Sequence, residues 1–148
     1  MAQFNDRKPH LLVIEDNPGD VELLRLALEH AELDCDLKVI DDGGEALAYV
    51  QQESETDLLA PDLAIVDLNL PKYDGVEILE AMRASAKFLK VPVAVFSSSS
   101  LPRERANIEK LNIVHQLRKP SDLEEFMQIG TLVKQLLAGG LESGASPR

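Results

Sequence analysis

The chain has 148 residues, of which 45% are hydrophobic, and these values suffice for one globular domain with a sizeable core. Its 26 acidic residues outnumber its 15 basic residues, and the resulting net charge of −11 argues against direct binding to nucleic acid or to anionic membranes. No apolar run approaches the roughly 18 residues of a membrane span and no signal-peptide pattern is visible, so we expect a cytoplasmic protein.

Five apolar runs of strand length alternate along the chain with five segments of helical periodicity. The predicted strands are HLLVIED (10–16), LKVID (37–41), DLAIVDL (62–68), VPVAVF (91–96) and VHQLRK (114–119). The predicted helices begin at Asn17-Pro18, cover about Gly44–Gln52, Gly75–Lys87 and Pro102–Lys110, and end with a helix that opens on the capping box Ser121-Asp-Leu-Glu124.

This alternation predicts an α/β fold built on a parallel sheet. The first, third and fourth strands are almost continuously apolar, as expected for strands that helices cover on both faces, whereas LKVID alternates like an edge strand. Right-handed connections then give a doubly wound, five-stranded parallel sheet, for which we predict the order 2-1-3-4-5. We expect one domain over residues 9–138, with flexible tails at 1–8 and 139–148.

The residues at the ends of the strands carry the chemical information, because doubly wound sheets bind ligands beyond the carboxyl ends of their strands. Glu15 and Asp16 end the first strand, Asp67 ends the third, Ser97 ends the fourth and Lys119 ends the fifth. Each alone is compatible with a turn, a cap or a polar loop. Together they predict one site, and three crowded carboxylates without His or Cys favour Mg²⁺ as the neutralising cation.

Four motifs make the chain resemble the receiver domain of two-component response regulators, over about residues 9–138. These motifs are IEDNPGD, DLNLPKYDGVE, VPVAVFSS and RKP. The resemblance implies a flavodoxin-like receiver fold. Within the family, the chain is most similar to the small single-domain regulators associated with bacterial and cyanobacterial phytochrome kinases.

The resemblance also implies a role for each acidic residue of the site. Asp67 would accept a phosphoryl group from a phosphohistidine of a histidine kinase. Asp16, Asp67 and the main-chain carbonyl of Asn69 would bind Mg²⁺ directly, and Glu15 would hold a water on the ion. The protein would then be a phosphoacceptor that assists its own phosphorylation and dephosphorylation, and not an enzyme that acts on other substrates.

Two further residues complete the implied switch. Ser97 would bind the new phosphoryl oxygen, and the ammonium of Lys119 would supply positive charge beside it. The inward shift of Ser97 would change which proteins the domain binds. Gln116 stands where the family often has Tyr or Phe. The aromatic ring is missing, although a Gln side chain can still reorient and hydrogen-bond in its place. We interpret His115 as an ordinary strand-edge residue.

Alternative functions remain on the same architecture. A haloacid-dehalogenase-like phosphatase would need a second Asp two residues after Asp67, where this chain has Asn69. A flavin carrier would need a phosphate loop after the first strand, where the acids of EDNPGD would repel a phosphate. Within the receiver family, the protein could serve a non-phytochrome kinase or act as a phosphate sink.

Two helices carry more apolar surface than one buried face requires. On the first helix, Leu23, Leu26 and His30 are predicted to face away from the core, and receivers are typically docked by their kinases there. On the last helix, one stripe should cover the sheet, and it contains Leu123, Phe126, Val133 and Leu137. A second stripe predicts a homodimer through this helix, and it contains Ile129, Leu132 and Leu136.

Overall fold

The computed structural model of the protein describes residues 8–52, 60–70, 75–97, 113, 115–118, 120 and 122–138. The predicted helix at 102–110, Lys119 and the side chain of Ser97 lie outside the described residues. The expected tails also lie outside them, apart from Lys8.

The described strands form a five-stranded parallel sheet in the order β2-β1-β3-β4-β5, which confirms the predicted topology. The strands are β1 His10–Ile14, β2 Asp36–Ile40, β3 Leu63–Asp67, β4 Val93–Ser97 and β5 His115–Arg118. The helices are α1 Pro18–His30, α2 Gly43–Gln51, α3 Gly75–Arg83 and a C-terminal helix, Leu123–Ala138. No helix within the described ranges is both long enough and apolar enough to cross a membrane.

Helices cover the sheet on both faces, as the apolar strands predict. Successive residues of β1 point into opposite halves of the core. Leu12 and Ile14 pack in a cluster that includes residues of α2 and α3. Leu11 and Val13 pack in a second cluster with α1 and the C-terminal helix. The exposed and half-buried positions of β2 alternate, which fits its place at the edge of the sheet.

Helix α1 begins as its sequence predicts, but its outer face differs from the prediction. The Asn17 side chain caps the helix and Pro18 is its first residue. Leu26 is 49% exposed and His30 is exposed, as expected. Leu23 is instead half-buried and packs against the core. The exposed apolar surface of α1 is therefore centred on Leu26.

Helix α3 ends at Arg83, earlier than the predicted end at Lys87. The Arg83 guanidinium donates hydrogen bonds to the carbonyl oxygens of Phe88 (3.3 Å), Leu89 (3.0 Å) and Val91 (3.0 Å). Phe88 is 1% exposed, so its ring fills the core directly after the helix. Arg83 thus stabilises the turns that follow the helix.

The C-terminal helix is capped one residue later than predicted. Oδ1 of Asp122 accepts a hydrogen bond from the backbone N–H of Glu125 over 2.8 Å, and the helix starts at Leu123. The capping side chain is thus Asp122, whereas Ser121, the predicted cap, lies outside the described residues.

The second apolar stripe of the C-terminal helix is largely covered within the chain. Ile129 is 5% exposed, and Leu136 is half-buried in the same cluster. The cover includes α1, since Ile129 belongs to the same cluster as Leu24 and Leu28. The two helices are so close that a Cβ on Gly130 would overlap the carbonyl group of Ala27. Leu132 is half-buried. The stripe therefore leaves less apolar surface for a second copy than the sequence pattern predicts.

Candidate functional site

Three acidic side chains meet at the carboxyl ends of β1 and β3. The two strands are parallel neighbours with Ile14 opposite Val66, so the residues that follow them lie side by side. One carboxylate oxygen from each of Glu15, Asp16 and Asp67 lies within 4.8 Å of the others. Asp67 is 1% and Glu15 4% exposed, and Asp16 is half-buried. The structure therefore brings together the three acids that the sequence places at strand ends.

The turn after β3 holds the Asp67 carboxylate in place. The backbone N–H of Asn69 donates a hydrogen bond to Oδ1 of Asp67 over 2.9 Å. The N–H of Gly75 donates to the carbonyl oxygen of Leu68 over 3.3 Å, which joins the start of α3 to the end of β3. The sequence pattern does not place Gly75 in the site, although the Asp-Gly dipeptide at 74–75 is an available turn signal.

The backbone around Glu15 connects the site to β2 and α1. The N–H of Glu15 donates to the carbonyl oxygen of Ile40 over 3.1 Å. Oε2 of Glu15 accepts a hydrogen bond from the backbone N–H of Asn17 over 3.3 Å. Asn17, which caps α1, therefore helps to orient the buried carboxylate of Glu15.

The chemistry of this cluster is that of a hard cation site. Carboxylates crowded at this distance repel one another when they are ionised, and a divalent cation relieves that repulsion. Among the described residues, Glu15, Asp16 and Asp67 form the group that could hold a metal ion, and all of their ligand atoms are oxygens. Such a set suits Mg²⁺ or Mn²⁺ better than it suits zinc or copper.

The other predicted site residues are described only in part. The backbone of Ser97 ends β4, which pairs with β3, and lies opposite Arg118 of β5. The side chain of Ser97 and the whole of Lys119 lie outside the described residues. Asn69 is exposed beside Asp67, and Gln116 is exposed on β5.

Cys35 directly precedes β2, so it lies at the amino ends of the strands, whereas the acidic cluster lies at their carboxyl ends. Burial raises the pKa of its thiol, and the negative charges of Asp34 and Asp36 add to this effect. A raised pKa disfavours the thiolate, which is the reactive form of cysteine. We therefore assign Cys35 no part in the site.

The doubly wound sheet with an acidic cluster at the carboxyl ends of its strands is the arrangement expected of a phosphoacceptor receiver. The sequence profile of the response regulator receiver domain matches residues 11–130. The chain thus belongs to the response regulator receiver family. Receiver domains accept phosphoryl groups from histidine kinases, and this chain is a phosphorelay receiver.

Similar proteins include regulators that are named for phytochromes. The chain is 29% identical over 120 residues to response regulator Rcp1 of Synechocystis sp., covering 80% of this chain and 82% of Rcp1. The structure of the phosphorylated cyanobacterial phytochrome response regulator RcpA matches with a TM-score of 0.78 at 29% identity, over 94% of this chain and 97% of RcpA. The Mn²⁺-bound form of Rcp1 matches with a TM-score of 0.75 at 26% identity, over 95% and 99% of the two chains.

Proposed function

We propose that Asp67 is the residue that accepts the phosphoryl group. The observation that carries this proposal is the position of its buried carboxylate at the end of β3, with an oxygen of Glu15 and of Asp16 within 4.8 Å. In the reaction, a bond forms between an Asp67 oxygen and phosphorus as the phosphorus–nitrogen bond of the kinase phosphohistidine breaks. The electron pair of that bond returns to the imidazole. The Asn69 N–H, 2.9 Å from Oδ1, restricts the orientation of the attacking carboxylate.

We propose Mg²⁺ as the ion of the acidic cluster. The all-oxygen ligand set fits this ion, and the Mn²⁺-bound form of the similar protein Rcp1 supports a divalent cation. Asp16, Asp67 and the carbonyl of Asn69 would hold it, with Glu15 binding a water on the ion. When bound, the ion neutralises negative charge on the transferring oxygens.

The remaining roles in the proposed switch belong to Ser97 and Lys119. Because β4 is the neighbour of β3, its last residue, Ser97, ends at the same edge of the sheet as Asp67. We assign it the hydrogen bond to the new phosphoryl oxygen. Lys119 follows β5 and would supply the second positive charge. The protein would thus assist its own phosphorylation and dephosphorylation without acting on other substrates.

We propose a phytochrome-type histidine kinase as the phosphate donor. The similarity to Rcp1 and RcpA supports this choice over a kinase of another type or a role as a phosphate sink. Because such kinases draw their phosphate from ATP, we place the exchange in the cytoplasm. The exposed Leu26 of α1 gives the kinase an apolar anchor.

A homodimer through the C-terminal helix is the remaining part of the proposal. Ile129 is buried within the chain, so the contact would have to use the half-buried Leu132 and Leu136. A two-fold contact on one helix is self-complementary. Sedimentation equilibrium of the wild type and of Leu132→Glu, with and without phosphorylation, tests it: a monomeric wild type at high micromolar concentration in both states removes the dimer.

Phosphotransfer profiling tests the proposed function. Purified, autophosphorylated histidine kinases of the phytochrome type and of other types are each mixed with the protein and with its Asp67→Asn variant. We expect the fastest transfer to the wild type from a phytochrome-type kinase, and no transfer to the variant. Preferential transfer from another kinase class would contradict the phytochrome pairing, and transfer to the variant would contradict Asp67.

A further inference from the structure

Asn17 makes hydrogen bonds in two directions, to the acidic cluster and to α1. Its backbone N–H donates to Oε2 of Glu15 over 3.3 Å. Its side-chain Oδ1 accepts from the N–H groups of Gly19 (2.9 Å) and Asp20 (3.2 Å), which are in the first turn of α1. The two sets of bonds fix the backbone of one residue between a carboxylate and a helix.

Pro18 restricts Asn17 to the conformation that makes both sets possible. A residue that precedes proline is disfavoured in the helical region and pushed towards extended geometry. Asn17 has φ −94° and ψ 110°, which is such a geometry. An N-cap residue also requires it, because only an extended N-cap places its side-chain oxygen over the first helical amides. The proline and the capping side chain therefore both favour the same extended backbone conformation of Asn17.

Glu15 needs this kind of support. It is 4% exposed, so its carboxylate is withdrawn from water and depends on hydrogen-bond donors within the protein. A glutamate also has more side-chain freedom to lose than an aspartate, and a carboxylate that is not already held loses that freedom when the ion and its water bind. Groups that orient a metal-binding carboxylate typically affect metal affinity without touching the metal.

We propose that Asn17 is a positioning residue for the divalent ion: its capped, proline-restricted backbone aims its N–H at Glu15 and so holds that carboxylate in the orientation in which it would bind a water on the ion. This inference rests on the proposed function, because it assumes that the acidic cluster binds the ion. It adds a residue whose own side chain binds α1 and not the cluster.

Binding of Mn²⁺, measured by the loss of the free-ion signal in electron paramagnetic resonance, tests this role without any phosphorylation. Asn17→Ala removes the capping oxygen but leaves a backbone N–H, and we expect it to weaken Mn²⁺ binding by about tenfold. Asn17→Ser keeps a capping oxygen and should bind Mn²⁺ within about twofold of the wild type, because Ser and Asn are equivalent caps.

Two controls separate positioning from loss of stability and from failure of the site itself. Val50→Ala opens a cavity in the core at a position that is 1% exposed, in α2, and should lose stability but keep its Mn²⁺ affinity. Asp16→Asn should lose Mn²⁺ binding. If the wild type does not bind Mn²⁺, or Asp16→Asn binds it equally well, the proposed metal site is wrong.

The positioning role fails in a different way. It is overturned if Asn17→Ala binds Mn²⁺ as tightly as the wild type while Asp16→Asn does not, or if Val50→Ala weakens binding as much as Asn17→Ala. Should Asn17→Ala fail to fold, Pro18→Ala decides instead, because it retains the capping side chain and releases only the restriction on the Asn17 backbone. Weaker Mn²⁺ binding by Pro18→Ala supports the role, and unchanged binding overturns it.

Discussion

Gly75 lies directly against the backbone of Asp67. A Cβ atom at position 75 would stand 2.7 Å from the carbonyl oxygen of Asp67 and 2.6 Å from Cα of Leu68. These are backbone atoms in the turn that leads out of β3, so they cannot swing aside as a flexible side chain would. The absence of a side chain at position 75 lets α3 begin beside the candidate phosphoacceptor.

Replacing Gly75 with alanine should therefore disturb both stability and phosphorylation. We expect Gly75→Ala to lower the free energy of unfolding by about 1–3 kcal/mol, as overpacking of a filled site does. Its labelling by acetyl phosphate should also slow, since the shifted turn carries the Asn69 N–H that orients Asp67. Urea unfolding and timed mass spectrometry measure the two effects.

Gly44→Ala is the matched control for this experiment. Gly44 is half-buried in the first turn of α2, and alanine has the higher helix propensity, so this variant should be at least as stable as the wild type. Wild-type stability and labelling of Gly75→Ala would show that the turn can accept a side chain.

A second prediction concerns the end of α1, where Glu32 adopts a left-handed conformation with φ 61°. The N–H of Leu33 donates to the carbonyl oxygen of Leu28 over 3.0 Å, the pattern of a helix end that favours glycine. Glu32→Gly should raise the free energy of unfolding by about 1 kcal/mol, because glycine adopts this conformation without steric cost.

The control is the same substitution one turn earlier. Glu29 is exposed within α1, and Glu29→Gly should lower the free energy of unfolding by about 1 kcal/mol. Thermal or urea unfolding gives both values. A loss of stability in both variants would contradict the strained conformation of Glu32.

A third prediction concerns the crossing of α1 and the C-terminal helix. Gly130→Ala would place a methyl group against the carbonyl of Ala27, so we expect a loss of about 1–3 kcal/mol in unfolding free energy. The hydrogen bond from Lys134 Nζ to the carbonyl oxygen of Ala31, 2.9 Å long, joins the same helices and should weaken with it. Thr131→Ala, at the exposed neighbouring position, should be neutral or slightly stabilising. Equal stability of Gly130→Ala and Thr131→Ala would refute the close crossing.

A fourth prediction separates docking of the kinase on α1 from phosphorylation of the site. Leu26 on α1 and Leu89 in the turn after α3 are both 49% exposed. Leu26→Glu should slow transfer from the cognate kinase but leave acetyl phosphate labelling unchanged, because charge is costly in an apolar contact. Leu89→Glu should leave both rates unchanged. If Leu26→Glu transfers at the wild-type rate, the kinase does not use this face of α1.

The sheet and the acidic cluster were predictable because both follow from local sequence. Near-continuous apolar runs identify central parallel strands, and parallel strands place their last residues at one edge, so Glu15, Asp16 and Asp67 had to converge. The predictions that Leu23 and Ile129 face away from the core were wrong, because Ile129 packs within it and Leu23 packs against it. Periodicity shows that a helix has an apolar face, but not which neighbour covers it.

Contacts that depend on backbone atoms and small residues could not be predicted from the sequence. Gly130 allows α1 to approach closely enough to bury Ile129, and its place inside a helical pattern was the available signal. The bond between the Asn17 N–H and Glu15 has no side-chain signature on the donor, so only the fold reveals it. The hydrogen bonds from Arg83 to the carbonyl oxygens after α3 likewise have no signature in the sequence of their acceptors.

The site of phosphorylation is the central claim, and intact-protein and peptide mass spectrometry after incubation with acetyl phosphate and Mg²⁺ tests it most directly. We predict one added phosphoryl group in the wild type, located on Asp67, and none in Asp67→Asn. The matched variant Asp62→Asn, which changes an acid that binds the His10 N–H at the other end of the sheet, should still be labelled. A phosphoryl group on Asp67→Asn, or on another residue of the wild type, would contradict the account.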